Sequence, residues 1–332
     1  MENYRLDAKE RAILFELDAD GMQPASRIAK KVRLSKQLVS YKIRNLQKDG
    51  VLKECCLIVD MGRFGYSVYK IYLKYRNINR RRERKIILRF CKSPYVGLVE
   101  TCDGRWDMII GVWARNIGQF REITEGLFRG IEGYFSDRLV SIIERADHCR
   151  RAYLVGRIGE GEIPFFGGIP GSVELDVLDS KIMAALVVDA RKSMVEVANE
   201  VGANAQAVRR KLQRLKQAGV IKGARIVLNK RRIGLLSYKA LLKLENITPE
   251  REKAFLAYIR QQPNMIDFVH CLGNWNFEID VEIPSYEEFH YLMLDLQDRF
   301  SGIIKNCESL LIFDEQKYNY FPMGLAKGRG NI

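Results

Sequence analysis

The chain has 332 residues, 47% of them hydrophobic and 29% charged, with a formal net charge of +14. That length excludes one small domain and has room for two to four, and no run of eighteen apolar residues offers a transmembrane helix, so no membrane partner is expected. The N-terminal "MENYRLDAKERAIL" has no apolar signal core, which predicts a cytoplasmic protein, and seven cysteines without a CxxC argue against a disulfide framework or a metal site.

In chain order, the first element is "LDAKERAILFEL". Asp7 and Glu10 have capping-box spacing, and Ile13, Leu14 and Leu17 give one apolar face. "PASRIAKKV" predicts a second short helix, a turn at Arg33-Leu34 follows, and Ser35 caps a third helix. At about 100° per residue, Val39, Ile43 and Leu46 share one side of that third helix. Gln37, Tyr41, Arg44 and Lys48 lie opposite, with Ser40 beside them. Two short helices joined by a tight turn, the second amphipathic and basic, describe a helix-turn-helix. Gln and Arg on the outer face suit adenine and guanine edges in a major groove, and Lys42 and Lys48 suit phosphates. "VLKECCLIVD" then predicts a short winged hairpin, with Arg63 as an added backbone contact.

From "SVYKIYLKYRNI" onward the pattern changes to strand, helix "RERKIILRFCKSP", two strands around "CDGRWDMIIGVWA", a helix from near Gln119 and a last strand "LVSIIER". That βαββαβ order is ferredoxin-like, and such a sheet has an open face that can pair with a second copy.

The second copy is in the same chain. From residue 39 the halves align at a constant offset of 169, with matches that include Leu46/Leu215, Gly50/Gly219, Gly65/Gly234, Cys102/Cys271, Gly104/Gly273 and Trp106/Trp275. The first helix aligns after a three-residue change, Leu6-Asp7 on Leu178-Asp179. In copy two Gly202 sits in the turn, Asn204 caps, and Val208, Leu212 and Leu215 form the apolar stripe. Its outer face holds Gln206, Arg210 and Gln213, flanked by Arg209 and Arg214, with Lys211 and Lys216 toward phosphates. "VIKGARIVLN" predicts a second winged hairpin, followed by the basic run Lys230-Arg231-Arg232.

These readings give an α+β chain of two winged helix-turn-helix domains and two ferredoxin-like βαββαβ domains in tandem. The expected boundaries are 1–62 and 63–153 for the first copy, a Gly/Pro-rich linker over 154–173, 174–231 and 232–322 for the second copy, and a tail over 323–332. Phe165 and Phe166 would let the linker dock. Charge follows the same division: residues 1–78 carry net +7 and 178–247 net +10, whereas 248–332 carry net −5. Basic charge concentrated on the helix-turn-helix segments favours a polyanion.

With "LDAKERAIL", "LSKQLVSYKIRNLQKDGVLK" and "DGRWDMIIGV", and again "LDSKIMAAL", "AVRRKLQRLKQAGVIKG" and "LGNWNFEIDV", the chain resembles the Lrp/AsnC family of regulators over nearly its whole length. The resemblance implies a transcription regulator that binds double-stranded DNA, without catalytic residues or a cofactor. Its βαββαβ domains, known as RAM domains, would pair, here as an intramolecular pseudo-dimer, with room for a higher homo-oligomer. It also implies a small effector, commonly an amino acid, at a G-x-aromatic-Asp turn. Gly104, Trp106 and Asp107 match that turn, with Asp107 facing an ammonium group; Gly273, Trp275 and Asn276 match it without the carboxylate. Paired recognition helices would address half-sites about 34 Å apart. Siroheme decarboxylase subunits resemble the same architecture and are the enzymatic alternative; three histidines and no His-rich C-terminal motif weigh against them.

Overall fold

The computed structural model describes residues 3–158, 165–167, 171 and 173–321. The expected tail and much of the linker lie outside the described residues.

The first helix starts where the sequence places a capping box: Asp7 accepts from the Glu10 backbone N–H, and Glu10 accepts from that of Asp7. This opens α1, Ala8–Ala19. Helix α2, Ala25–Val32, ends at Arg33, which holds φ 55° and ψ 47°, a conformation usually given to glycine. Ser35 accepts from Leu38 N–H at 3.1 Å and opens α3, Lys36–Lys48. Strands β1 (Leu52–Val59) and β2 (Ser67–Tyr75) follow, then α4 (Arg80–Lys92), β3 (Val96–Asp103) and β4 (Met108–Ala114). Helix α5 (Ile117–Phe128), capped by Asn116, begins two residues before the expected Gln119. Strand β5 (Phe135–His148) completes the copy, and β6 (Phe165–Gly167) docks the linker onto it.

Copy two comprises α6 (Val177–Val188), α7 (Met194–Val201), α8 (Ala205–Gln217), β7 (Ile221–Leu228) and β8 (Leu236–Leu244). It continues with α9 (Pro249–Gln261), β9 (Met265–Leu272), β10 (Phe277–Ile283), α10 (Tyr286–Arg299) and β11 (Ile304–Tyr318). Every element of copy two begins 169 residues after its counterpart, including the first helix. The three-residue shift is therefore corrected. Asp176, not Asp179, caps α6, and Asp179 takes the place of Glu10 in the capping box.

Neither wing is a hairpin. Strand β1 is single and pairs antiparallel with β7 of the other copy, from Leu52↔Leu228 to Val59↔Ile221. Each copy therefore completes the other's wing, because a lone strand with unpaired N–H and C=O groups is costly to bury. The two βαββαβ units show the same mutual dependence. Within unit one the order is β5-β2-β4-β3, and within unit two β11-β8-β10-β9. The long last strands change partner along their length. β5 leaves β2 at Ile143 and runs on beside β9; β11 leaves β8 at Ile312 and runs on beside β3. The result is a closed ring of eight strands with helices outside. Closure removes the open edges that each unit would otherwise expose.

Candidate nucleic-acid interface

Burial separates the two faces of the third helix of each copy. In α3, Val39, Ile43 and Leu46 are buried, whereas Ser35, Gln37, Tyr41, Arg44 and Lys48 are exposed and Ser40 is half-buried. Tyr41 keeps 55% of its surface open to solvent. In α8, Val208, Leu212 and Leu215 are buried, and Gln206, Arg209, Arg210, Gln213, Arg214 and Lys216 are exposed. The outer faces differ at matched positions: Tyr41 in α3 corresponds to Arg210 in α8, and Arg44 to Gln213.

Two of the expected phosphate contacts, Lys42 and Lys211, and the flanking Arg214 have other partners. Lys42 lies 2.6 Å from Asp7 and 3.2 Å from Glu10. Lys211 pairs with Asp176, and Arg214 with Asp179. The charges on the helix tie it to the capping box of the first helix, at equivalent places in both copies. The hydrogen bond from Lys211, with the Asp179 backbone N–H, holds the Asp176 carboxyl down at about 2. Lys211→Ala should therefore lower stability by about 0.5–1 kcal/mol and leave DNA affinity within twofold, read by denaturant melts alongside fluorescence anisotropy. A large affinity loss at unchanged stability would return Lys211 to the phosphates.

The basic run after β7 is also occupied. Lys230 is half-buried and reaches Glu315 at 2.7 Å, and the Arg231 guanidinium lies 3.9 Å from the centre of the Phe313 ring.

The two Gly-x-Trp turns hold their tryptophans inside: Trp106 is 1% exposed and Trp275 3%. In the structure Asp107 clips the adjoining strand. One carboxylate oxygen accepts from Tyr75 N–H at 2.7 Å and the other from Lys74 at 2.8 Å. Asn276 does the same work with its amide oxygen on Leu244 N–H, also at 2.7 Å, which explains why the carboxylate is dispensable there. Gly273 and Trp275 line a surface cavity of about 340 Å³ together with Arg105, Lys243 and Glu308. Gly104 is exposed in the first turn and packs near Leu310.

A buried charge network lies where no local sequence pattern points. Arg151, after β5, pairs with Asp18 of α1 and forks onto Glu282 of β10 at 2.8 and 3.0 Å. Arg225 of β7 reaches Asp267 of β9 and lies 3.4 Å from Asp18; Asp267 also meets His148 at 2.6 Å. One cluster therefore joins the first helix-turn-helix, the shared wing and the barrel. The only sequence signal was Asp18, a charge following the apolar run of α1.

Comparison with known proteins agrees with this geometry. Residues 6–53 match the winged helix-turn-helix DNA-binding model and residues 175–216 the AsnC-type helix-turn-helix domain. The leucine-responsive regulatory protein of Rhizobium meliloti is 37% identical over 122 residues, 35% of this chain and 78% of that protein. The regulatory protein AsnC of Haemophilus influenzae is 32% identical over 119 residues, 36% of this chain and 79% of its own. Among solved structures, the siroheme decarboxylase NirDL has a TM-score of 0.62 at 13% identity, covering 95% of this chain and 94% of that one. That likeness is one of fold and shows the tandem arrangement in a single chain.

Proposed function

This chain belongs to the Lrp/AsnC family of DNA-binding transcription regulators, and from that premise we propose that it reads an asymmetric operator with two unlike recognition helices. The observation that carries this reading is the mismatch of two equally exposed faces, Gln37, Tyr41 and Arg44 on α3 against Gln206, Arg210 and Gln213 on α8. An ordinary two-chain regulator presents identical helices and so favours a palindrome. Here both helices come from one chain through a shared wing and barrel, and nothing forces the half-sites to match. Selection of bound duplexes from a random pool should return two different half-sites; a palindromic consensus would overturn the reading.

The effector reading moves with the geometry. With Asp107 and Asn276 both holding backbone, the turn region of copy two offers Lys243 and the pair Arg105–Glu308, 2.7 Å apart, beside Gly273 and Trp275, a cavity with charges of both signs for the two ends of an amino acid. The enzymatic alternative is weaker. It rests on a likeness of fold at 13% identity, whereas the relatives matched in sequence are regulators.

A further inference from the structure

We infer that the interior of the barrel binds a small monocationic amine with an apolar body, its ammonium group seated on Glu100. The inference does not depend on the DNA reading. Inside the ring, β2 and β8 present the matched lysines Lys70 and Lys239, both buried. Three carboxylates face them, and none has an acidic counterpart in the other copy. Glu100 stands where copy two has Val269, Glu278 where copy one has Ile109, and Asp280 where copy one has Gly111. Two pairs form. Lys70 joins Glu278, which also accepts from Tyr72 at 2.6 Å, and Lys239 joins Asp280 at 2.5 Å.

Glu100 is the third acid and is left over. It is 5% exposed, one of its oxygens has no hydrogen-bond partner, and the nearest cation, Lys239, is 3.8 Å away. Two cations against three carboxylates leave one uncompensated negative charge in a region that water reaches poorly, a costly state unless a proton or a ligand cation neutralises it. Without a ligand the proton does so below about pH 7, and above it the charge stays uncompensated. Burial, with Asp280 of β10 and Glu315 of β11 adding to it and Lys239 of β8 and Lys70 of β2 opposing, pushes the Glu100 carboxyl up to about 7.

The cavity beside Glu100 measures about 110 Å³; Val68, Leu98, Trp113, Ile143 and Ile312 supply its apolar lining, and the other charges that line it are ion-paired, Lys230 with Glu315, Arg225 with Asp267 and Arg151 with Glu282. That is the space of a few water molecules, at about 30 Å³ each, and suits a short branched alkyl chain. An amino acid fits poorly, because its carboxylate would find the lysines and arginines that line the cavity already paired.

The test is thermal shift and calorimetric titration of the full chain at pH 8 with isobutylamine, against isobutyrate, valine, ammonium chloride and potassium chloride. Isobutylamine should raise Tm saturably and the other four should not. Its affinity should fall about tenfold between pH 8 and pH 6, as Glu100 takes up a proton with its carboxyl near 7. Glu100→Gln should abolish the amine response and, by removing the buried acid, raise the Tm of the unliganded chain at pH 8. That rise shows that the variant is folded. No response to the amine, an equal response to valine or ammonium, or a response retained in Glu100→Gln would each overturn the assignment.

Discussion

Replacing Arg151 by methionine should destabilise the chain by about 3–5 kcal/mol, the usual cost of breaking a buried ion pair by removing one partner. Arg151 is 5% exposed, and its guanidinium contacts Asp18 and Glu282 at once, with a further bond to Ile226 O at 3.2 Å. Methionine fills similar volume, so the loss would come from the stranded carboxylates and not from a void. Arg225 and Lys230, at 3.4 Å from Asp18 and 3.8 Å from Glu282, offset only part of it. The pH dependence gives a second readout. Burial pushes the Glu282 carboxyl up, but Arg151 and Lys230 more than offset this and hold it at about 2, below its ordinary 4.5. A carboxyl whose folded value is depressed stabilises above its unfolded value, and that stabilisation is lost as pH falls from about 4.5 toward 2. The wild-type chain should show that acid-side loss in urea melts, and Arg151→Met should show much less of it. A variant with wild-type stability at pH 7 would mean that the cluster is solvated in solution.

The position of Arg151 also shows what sequence reasoning could not reach. Caps, stripes and turns lie within a few residues of each other, so Asp7, Ser35, Asn204 and Arg33 were legible from spacing alone. The charge cluster draws on residues 18, 151, 225, 267 and 282, which only the closed ring and the shared wing bring together. The wing departs from the expected hairpin for the same reason. Strand alternation reports which side is buried, but not whether the partner strand is the next one or lies 169 residues on. Matching letters misled at the first helix, where Leu-Asp recurs at 6–7 and 178–179; the reciprocal cap bonds of Asp7 and Asp176 give the true register. Lys42 and Lys211 looked like phosphate ligands because a helical wheel shows where a side chain starts, not which carboxylate on a neighbouring helix meets it.

DNA affinity should fall with salt at a log–log slope between about −5 and −7, from three or four phosphate contacts per copy at about −0.9 each. Groups available for this, once Lys42 and Lys211 are assigned to the capping boxes, include exposed basic residues at the ends and flanks of the helices, Lys36 and Lys48 on α3 and Arg209 and Lys216 on α8, with the exposed Arg27, Lys30, Lys31 and Arg63 elsewhere in the first copy and the half-buried Arg232 in the second. Arg210 and Arg44 sit centrally on their outer faces and suit guanine edges. Arg210→Ala should therefore lose roughly 1–3 kcal/mol on its preferred half-site and relax base preference there, while the half-site read by α3 keeps its sequence. Tyr41→Arg should act in the opposite sense, drawing the α3 half-site toward the one read by α8. Competition binding of both variants against permuted half-sites separates these effects, because a phosphate contact lowers affinity on every sequence alike and a base contact on only one. A flat salt response would remove the polyanion partner altogether. A steep slope with unchanged base preference in Arg210→Ala would keep DNA as the partner and assign that arginine to the backbone.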